Sequence, residues 1–463
     1  MQAVLGKVAL PDFGDPVEQP VVPAALHAAR LAAFIDRVRA LGLGMALVYA
    51  DREHSANLSY LTGFDPRFEE ALLVVGAKSN PAILTGPENQ GSARAASAAF
   101  EVTLFPSFGL LGQDRSMTPP LGDVLRQLGL QSGMAVGLVG WKYFGADEGA
   151  LPGQMFDLPS YIVDTVRNVV GNSGRIVNTT ALLVHPSNGM RTVNEIEQLA
   201  AFEFASCHTS GAVRRVVLGA RPGMSEFEAA RLLGPIGLPL SCHPMLSTGV
   251  RAALGLGSPS SKLIERGDPI TVAYGVWGAL NCRAGWMAGE AGELPQGAKD
   301  YIERLVAPYF TAVAQWYEGL GIGVTGGTLF DIIRRRLGDP FFGVLLNPGH
   351  LIHLDEWMNT PIYAGSNQRL VSGQALQADI IPATGTPYFT TNVEDGVAIL
   401  DAGGRAALAE RYPQAAERIE HRRDFMASAL GINLKPEILP LSNMPGYLTP
   451  FFLSPESAMV IRR

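Results

Sequence analysis

The feature that most constrains this chain is a histidine followed at long range by single carboxylates. Gly349-His350-Leu351-Ile352-His353-Leu354-Asp355-Glu356 carries the imidazole, the segment GQALQAD ends on Asp379, and NVEDG contains Glu394. Gaps of that size cannot belong to one helix face, so these side chains meet only if separate strands bring them together. Convergent imidazole and carboxylate groups either hold a metal ion or move protons. Asp379 is flanked by Ala378, Ile380 and Ile381, an apolar strand in which a carboxylate is costly unless it is paired or used. His350 follows a Pro-Gly turn, and an imidazole needs only modest tuning to work near neutral pH.

A chain of 463 residues is too long for one ordinary core and implies two domains. Its formal charge of -7, with no Lys or Arg run large enough to offset it, argues against a phosphate-binding surface and with it a nucleic-acid partner. MQAVLGKVALPDFGDP has no basic stretch leading into an apolar core, so no signal peptide is expected there. No apolar run reaches the roughly twenty residues that span a bilayer, and no membrane association is expected. Cys207, Cys242 and Cys282 are odd in number and far apart, which fits a reducing cytoplasm better than a disulfide framework.

Ala24 to Leu41 reads as an amphipathic helix and Gly44 to Tyr49 as a buried strand. Leu72 to Val75, Ala82 to Leu84 and Val136 to Val139 read as further strands, and Val177 to Leu183 as the closing element of an α/β domain on a mixed sheet. The boundary is placed at His185-Pro186-Ser187-Asn188-Gly189, giving domains 1–188 and 189–463. Thr192 and Glu195 stand in capping-box register for a helix running to about Leu218. Glu226 to Leu233 and an amphipathic stretch from Lys299 to Glu318 are the next helices, with short Gly- and Pro-punctuated strands between and after them.

The order and spacing of His350, Asp379 and Glu394 resemble the last three metal ligands of the creatinase, prolidase and aminopeptidase P superfamily. Asn57-Leu58-Ser59-Tyr60-Leu61-Thr62-Gly63-Phe64, His243-Pro244-Met245-Leu246-Ser247-Thr248-Gly249 and the Gly267-Asp268 turn extend the resemblance over nearly the whole chain. It implies an α/β N-terminal domain with a mixed sheet, followed by an α+β pita-bread catalytic domain. It also implies two aspartates after Gly267-Asp268. Here the first falls on Ala273 and the second on Ala284, or on Cys282 if the hairpin is two residues shorter. Neither choice restores a carboxylate, so the dinuclear metal site of the superfamily is not expected. Creatinase itself works without metal, and the chain reads as a creatinase-like, metal-free member.

The resemblance makes His350, Asp379 and Glu394 the catalytic group, with His353 in the place of a second histidine that steadies the tetrahedral intermediate. His350 would take a proton from water and return it to the leaving nitrogen, while Asp379 and Glu394 hold a cationic substrate. Tyr274, Trp277 and Trp357 are the aromatic candidates for that cation. His243 reads as a core histidine, with replacement of the superfamily's missing substrate-orienting histidine as the alternative, Asp395 as a structural acceptor, and Asp355 and Glu356 as surface acids. Creatinase-like dimers reach into the partner's site with an aromatic residue and an arginine, for which Phe64 and Arg67 are the nearest matches, so a homodimer is expected. The leading expectation is hydrolysis of a C–N bond in a small, cationic or dipeptide-like molecule with no cofactor. Two alternatives stand beside it: a Xaa-Pro peptidase or lyase with one divalent ion at His350, Asp379 and Glu394, and a non-catalytic binding protein of the same fold.

Overall fold

The computed structural model describes residues 1–76, 80–96 and 100–463. The chain divides into two compact units, Val22–Arg191 and a larger one made of Met1–Val21 with Thr192–Arg463. The division therefore falls three residues beyond the expected boundary, and the first twenty-one residues belong with the C-terminal unit. The reason is a strand pairing: β1 (Gln2–Lys7) runs antiparallel to the C-terminal strand Ser457–Arg462, with Gln2 opposite Arg462 and Lys7 opposite Ser457.

In the smaller unit the Ala24–Ala40 helix buries Leu31, Phe34 and Val38, which lie on one face at helical spacing. β2 (Met45–Ala50) and β3 (Ala71–Gly76) are apolar and buried along their length, as central strands covered on both sides must be. With β4 (Ala82–Thr85), β5 (Glu101–Leu104), β6 (Ala135–Val139) and β7 (Arg175–Asn178) they form one sheet of order β5-β4-β3-β2-β6-β7. It is mixed, antiparallel between β2, β3 and β4 and parallel elsewhere. The closing element expected at Val177 to Leu183 is the strand β7 followed by a short helix, Ala181–Val184.

The larger unit opens with the Ile196–Gly219 helix, whose N-cap Glu195 is extended and makes no side-chain cap bond. The helix therefore starts three residues later than a Thr192 cap would place it, with Glu195 as its N-cap. A capping box occurs at Ser225 and Glu228, where the Ser225 hydroxyl accepts the Glu228 amide at 3.2 Å and the Glu228 carboxylate accepts the Ser225 amide at 2.7 Å. The stretch from Lys299 to Glu318 is a π turn, Ile302–Val306, running into the Ala307–Gly319 helix. This helix is not amphipathic: Tyr309, Phe310, Ala312, Val313, Trp316 and Tyr317 are all buried, as in an element that runs through the core.

Around it lie β8 (Met245–Thr248), β9 (Pro269–Val276), β10 (Ala279–Trp286), β11 (His350–Leu351), β12 (Ala375–Gln377), β13 (Asn392–Glu394), β14 (Gly396–Ile399) and β15 (Ile438–Pro440). They make two antiparallel sheets, β13-β10-β9-β8 and β11-β12-β14-β15. The chain passes from one sheet to the other at Asp395. That carboxylate is fixed by Arg283 at 2.9 Å to each oxygen, by Asn281 at 2.8 Å and by the Gly446 amide at 2.9 Å. A buried aspartate so fully satisfied is a structural joint, as the sequence reading had it.

Candidate active site

Three strands from two sheets deliver the predicted group. His350 sits on β11 opposite Gln377 of β12, Asp379 lies two residues beyond Gln377, and Glu394 ends β13 opposite Cys282 of β10. The turn before His350 needs Gly349, which has φ +106°. A Cβ there would also come within 2.8 Å of the Trp316 ring and 2.9 Å of the Gln377 carbonyl, so the strand approaches its neighbours more closely than any side chain allows. His350, Asp379 and Glu394 are all buried, and one ligand atom from each lies within 4.8 Å of the other two.

His350 Nδ1 lies 3.2 Å from the Leu351 carbonyl oxygen. A carbonyl only accepts, so Nδ1 carries the hydrogen and Nε2 is the working nitrogen. Nε2 faces Glu356 Oε1 at 3.2 Å and Asp379 Oδ2 at 3.8 Å, and Trp357 stacks on the ring with centroids 4.1 Å apart. Burial works against the charged ring, but the hydrogen bond and charge of Glu356 and the charge of Asp379 outweigh it and hold the His350 pKa above its ordinary value. Burial, with the Glu356 charge added and His350 opposing, raises Asp379 to about 6. Burial and the charges of Asp379, Glu356 and Asp395 push Glu394 well above the carboxylate range, with Arg283 opposing. A cation placed beside Glu394 would favour its charged form.

The remaining candidates are placed differently. His353 is buried with its ring edge-on to Phe202, 5.2 Å between centroids. Tyr274 alternates with Ala273 along β9 and packs with Val272 and Val276 in the main core, on the other face of the strand. Trp277 occupies the β9–β10 turn with Gly278, whose φ of +92° suits only glycine. His243 is exposed, its Nε2 bonded to the Leu256 carbonyl at 2.9 Å, so it is not a core histidine. In the smaller unit Phe64 is 1% exposed and Arg67 pairs with Asp65 at 3.1 Å. The buried Phe64 ring is unavailable to another molecule, while Phe68 is 73% exposed. Glu356 is the site residue that sequence reasoning missed. Its only signal was a position six residues after His350, without the periodicity of helix or strand.

Residues 30–169 match the family model of the Creatinase/Prolidase N-terminal domain. Over 226 residues the chain is 24% identical to YqhT, an uncharacterized peptidase of Bacillus subtilis (strain 168). That match covers 47% of this chain and 62% of the relative, less than two thirds of its length. A recombinant prolidase from Thermococcus sibiricus superposes with a TM-score of 0.63 at 16% identity, over 80% of this chain and 94% of its own. Aminopeptidase P of Escherichia coli gives 0.57 at 14% identity, over 86% and 99%. This is the pita-bread fold of the creatinase, prolidase and aminopeptidase P superfamily.

Against the superfamily pattern of paired aspartates, the β9–β10 register decides between the two alignments of the second one. Ala273 stands directly opposite Cys282, and Cys282 opposite Glu394, because the hairpin has a two-residue turn. The positions of the aspartate pair hold a methyl group and a thiol, packed with Met245, Leu280 and Cys242. Burial and the Glu394 charge push the Cys282 thiol well above its ordinary value, and burial with the Glu356 and Glu394 charges pushes Cys242 up to about 12. Both stay thiols at neutral pH. A dinuclear metal pair does not fit this wall, since its bridging ligands are replaced by groups with no negative charge. A single ion fits the remaining donors, whose atoms are buried and convergent.

Proposed function

We propose that this chain hydrolyses a C–N bond in a small, cationic or dipeptide-like molecule, without a metal pair. The observation that carries the reading is the site's own imbalance: Glu356, Asp379 and Glu394 surround the single imidazole of His350, facing a wall of Ala273 and Cys282. A buried excess of carboxylates calls for a cation, and a substrate carrying one satisfies it. The relatives named as peptidases, prolidase and aminopeptidase P support the choice of a C–N bond. Glu356 and Trp357 are partly exposed and form the side from which a substrate enters.

In this reading the substrate's cationic group lies between Glu394 and Glu356. His350 starts protonated, held so by Glu356 and Asp379, and gives its Nε2 proton to the leaving nitrogen. Asp379, ionised above about 6, takes the proton of the attacking water. This reverses the order expected from sequence, in which His350 was the base; the carboxylates around it are the reason. A second reading has one divalent ion held by His350, Asp379 and Glu394, favoured by the 4.8 Å convergence of their donor atoms. Such an ion supplies Lewis acidity toward a carbonyl and a more acidic bound water.

Kinetics of two variants separate the readings. Under the metal-free mechanism His350→Ala lowers kcat by about 10²–10⁴-fold, the usual contribution of general acid–base catalysis, while Glu394→Gln acts mainly on KM. Equal losses in both variants, restored by added divalent metal, would overturn that mechanism in favour of the single ion.

A further inference from the structure

The acids of the His350 site stand at one end of an apolar row. Register places Glu394 of β13 opposite Cys282 of β10, Cys282 opposite Ala273 of β9, and Ala273 opposite Met245 of β8. Residues directly opposite one another project from the same face of a sheet, so these four side chains form one line across the four strands. At about 4.8 Å per strand the line runs roughly 14 Å from Glu394 to Met245. Its flank is apolar too. Leu280 lies two residues from Cys282, on the same face, and packs with Met245 and Ala273. All of these residues belong to the larger unit.

The loop before β8 closes this flank. Gly275 stands opposite Leu280, and a Cβ on it would lie 2.8 Å from Cys242 Sγ and 3.1 Å from Leu280 Cδ1. The missing side chain is what lets Cys242 lie against the strand. Burial, with the charges of Glu356 and Glu394, pushes the Cys242 thiol up to about 12, so the loop sulfur shares the surroundings of the acids. Cys242 and Cys282 both keep partial exposure. The row is therefore open to a small molecule at these two sulfurs.

Beyond Glu394 the row consists of a thiol, a methyl group and a thioether, and it carries no charge at neutral pH. A carboxylate laid on that surface would lose its water and gain no partner. An alkyl group gains on the same surface by leaving water, and the thioether of Met245 adapts to its shape. We propose that the substrate of this site is a monocation with an uncharged apolar tail, its head at Glu394 and Glu356 and its tail along Cys282, Ala273 and Met245. The inference rests on the function proposed above and narrows it, taking the cationic molecule over the zwitterionic, dipeptide-like one. Ala273 and Cys282 thereby set specificity, besides withholding ligands from a metal pair.

Calorimetric titration of the full chain with methylammonium, propylammonium and pentylammonium tests this, with pentanol as the uncharged control and δ-aminovalerate as the zwitterion of matching length. Affinity is expected to rise about three- to fourfold for each added methylene. Pentanol should not saturate, and δ-aminovalerate should bind at least ~10-fold more weakly than pentylammonium. Ala273→Ser and Cys282→Ser each set a hydroxyl in the row and should reduce the gain per methylene; retained methylammonium binding shows that each variant is folded. Glu394→Gln should weaken all three alkylammonium ions by one common factor. Absence of saturable binding by any of the cations would contradict the cationic reading of the site itself, and this inference with it. Cations that bind equally whatever their length, δ-aminovalerate that binds as well as pentylammonium, or a length dependence that survives both serine substitutions would overturn the inference and leave that reading standing.

Discussion

At the scale of single residues, the chemistry turns on what surrounds His350. Its Nδ1 is committed to the Leu351 carbonyl, and its Nε2 faces Glu356 and Asp379. Glu356 raises the His350 pKa, so Glu356→Gln is expected to lower it. If the acid form of His350 is the active one, the alkaline limb of the kcat/KM profile moves to lower pH in that variant. An unmoved limb would mean that His350 does not titrate against Glu356. His350, Asp379 and Glu394 were legible in the sequence because isolated polar groups in apolar strands need a reason to be there. Glu356 was not, because the turn that swings it back onto His350 leaves no periodic trace. His353, read as the second histidine that steadies the intermediate, has its ring edge-on to Phe202.

At the scale of elements, the Ile196–Gly219 helix holds its place through Glu203. This carboxylate is buried beside Arg418 at 2.6 Å and Arg422 at 2.8 Å, both on the Pro413–Phe425 helix. Burial opposes its charge, but Arg422 and Arg418 outweigh burial and hold its pKa below the usual value. A lowered pKa gives stability that is complete above the unfolded carboxyl value of about 4.3 and is lost as pH falls through the folded one. Glu203→Gln should therefore cost about 3–5 kcal/mol at neutral pH, the usual result of stripping one partner from a buried pair, and should flatten the acid limb of the stability curve. Urea denaturation between pH 7 and pH 3 measures both. The helices and buried strands were legible from periodicity within two or three residues at most ends. The N-cap expected at Thr192 stands at Glu195, and a capping box forms at Ser225 and Glu228, since the same residue pattern serves either site and packing chooses. Hairpin length, which sets Cys282 opposite Ala273, depends on a turn whose glycine alone does not fix the register.

At the scale of the whole molecule, two units in the expected order were legible because each carries its own hydrophobic pattern. The attachment of the first twenty-one residues to the larger unit was not, since β1 pairs with a strand at the opposite end of the chain and no local signal marks so distant a partner. A homodimer remains the expected state, on the resemblance of the Gly63-Phe64 loop to the arm of creatinase-like dimers. Light scattering should give twice the 49.3 kDa chain mass, and a monomer at micromolar concentration would contradict it. The central claim is that Ala273 and Cys282 have removed the metal pair from this fold, and elemental analysis of the purified protein tests it most directly. Well under one equivalent of transition metal per chain is expected, with turnover unchanged after exhaustive chelation; two bound ions per chain, or activity lost to the chelator and restored by metal, would contradict it.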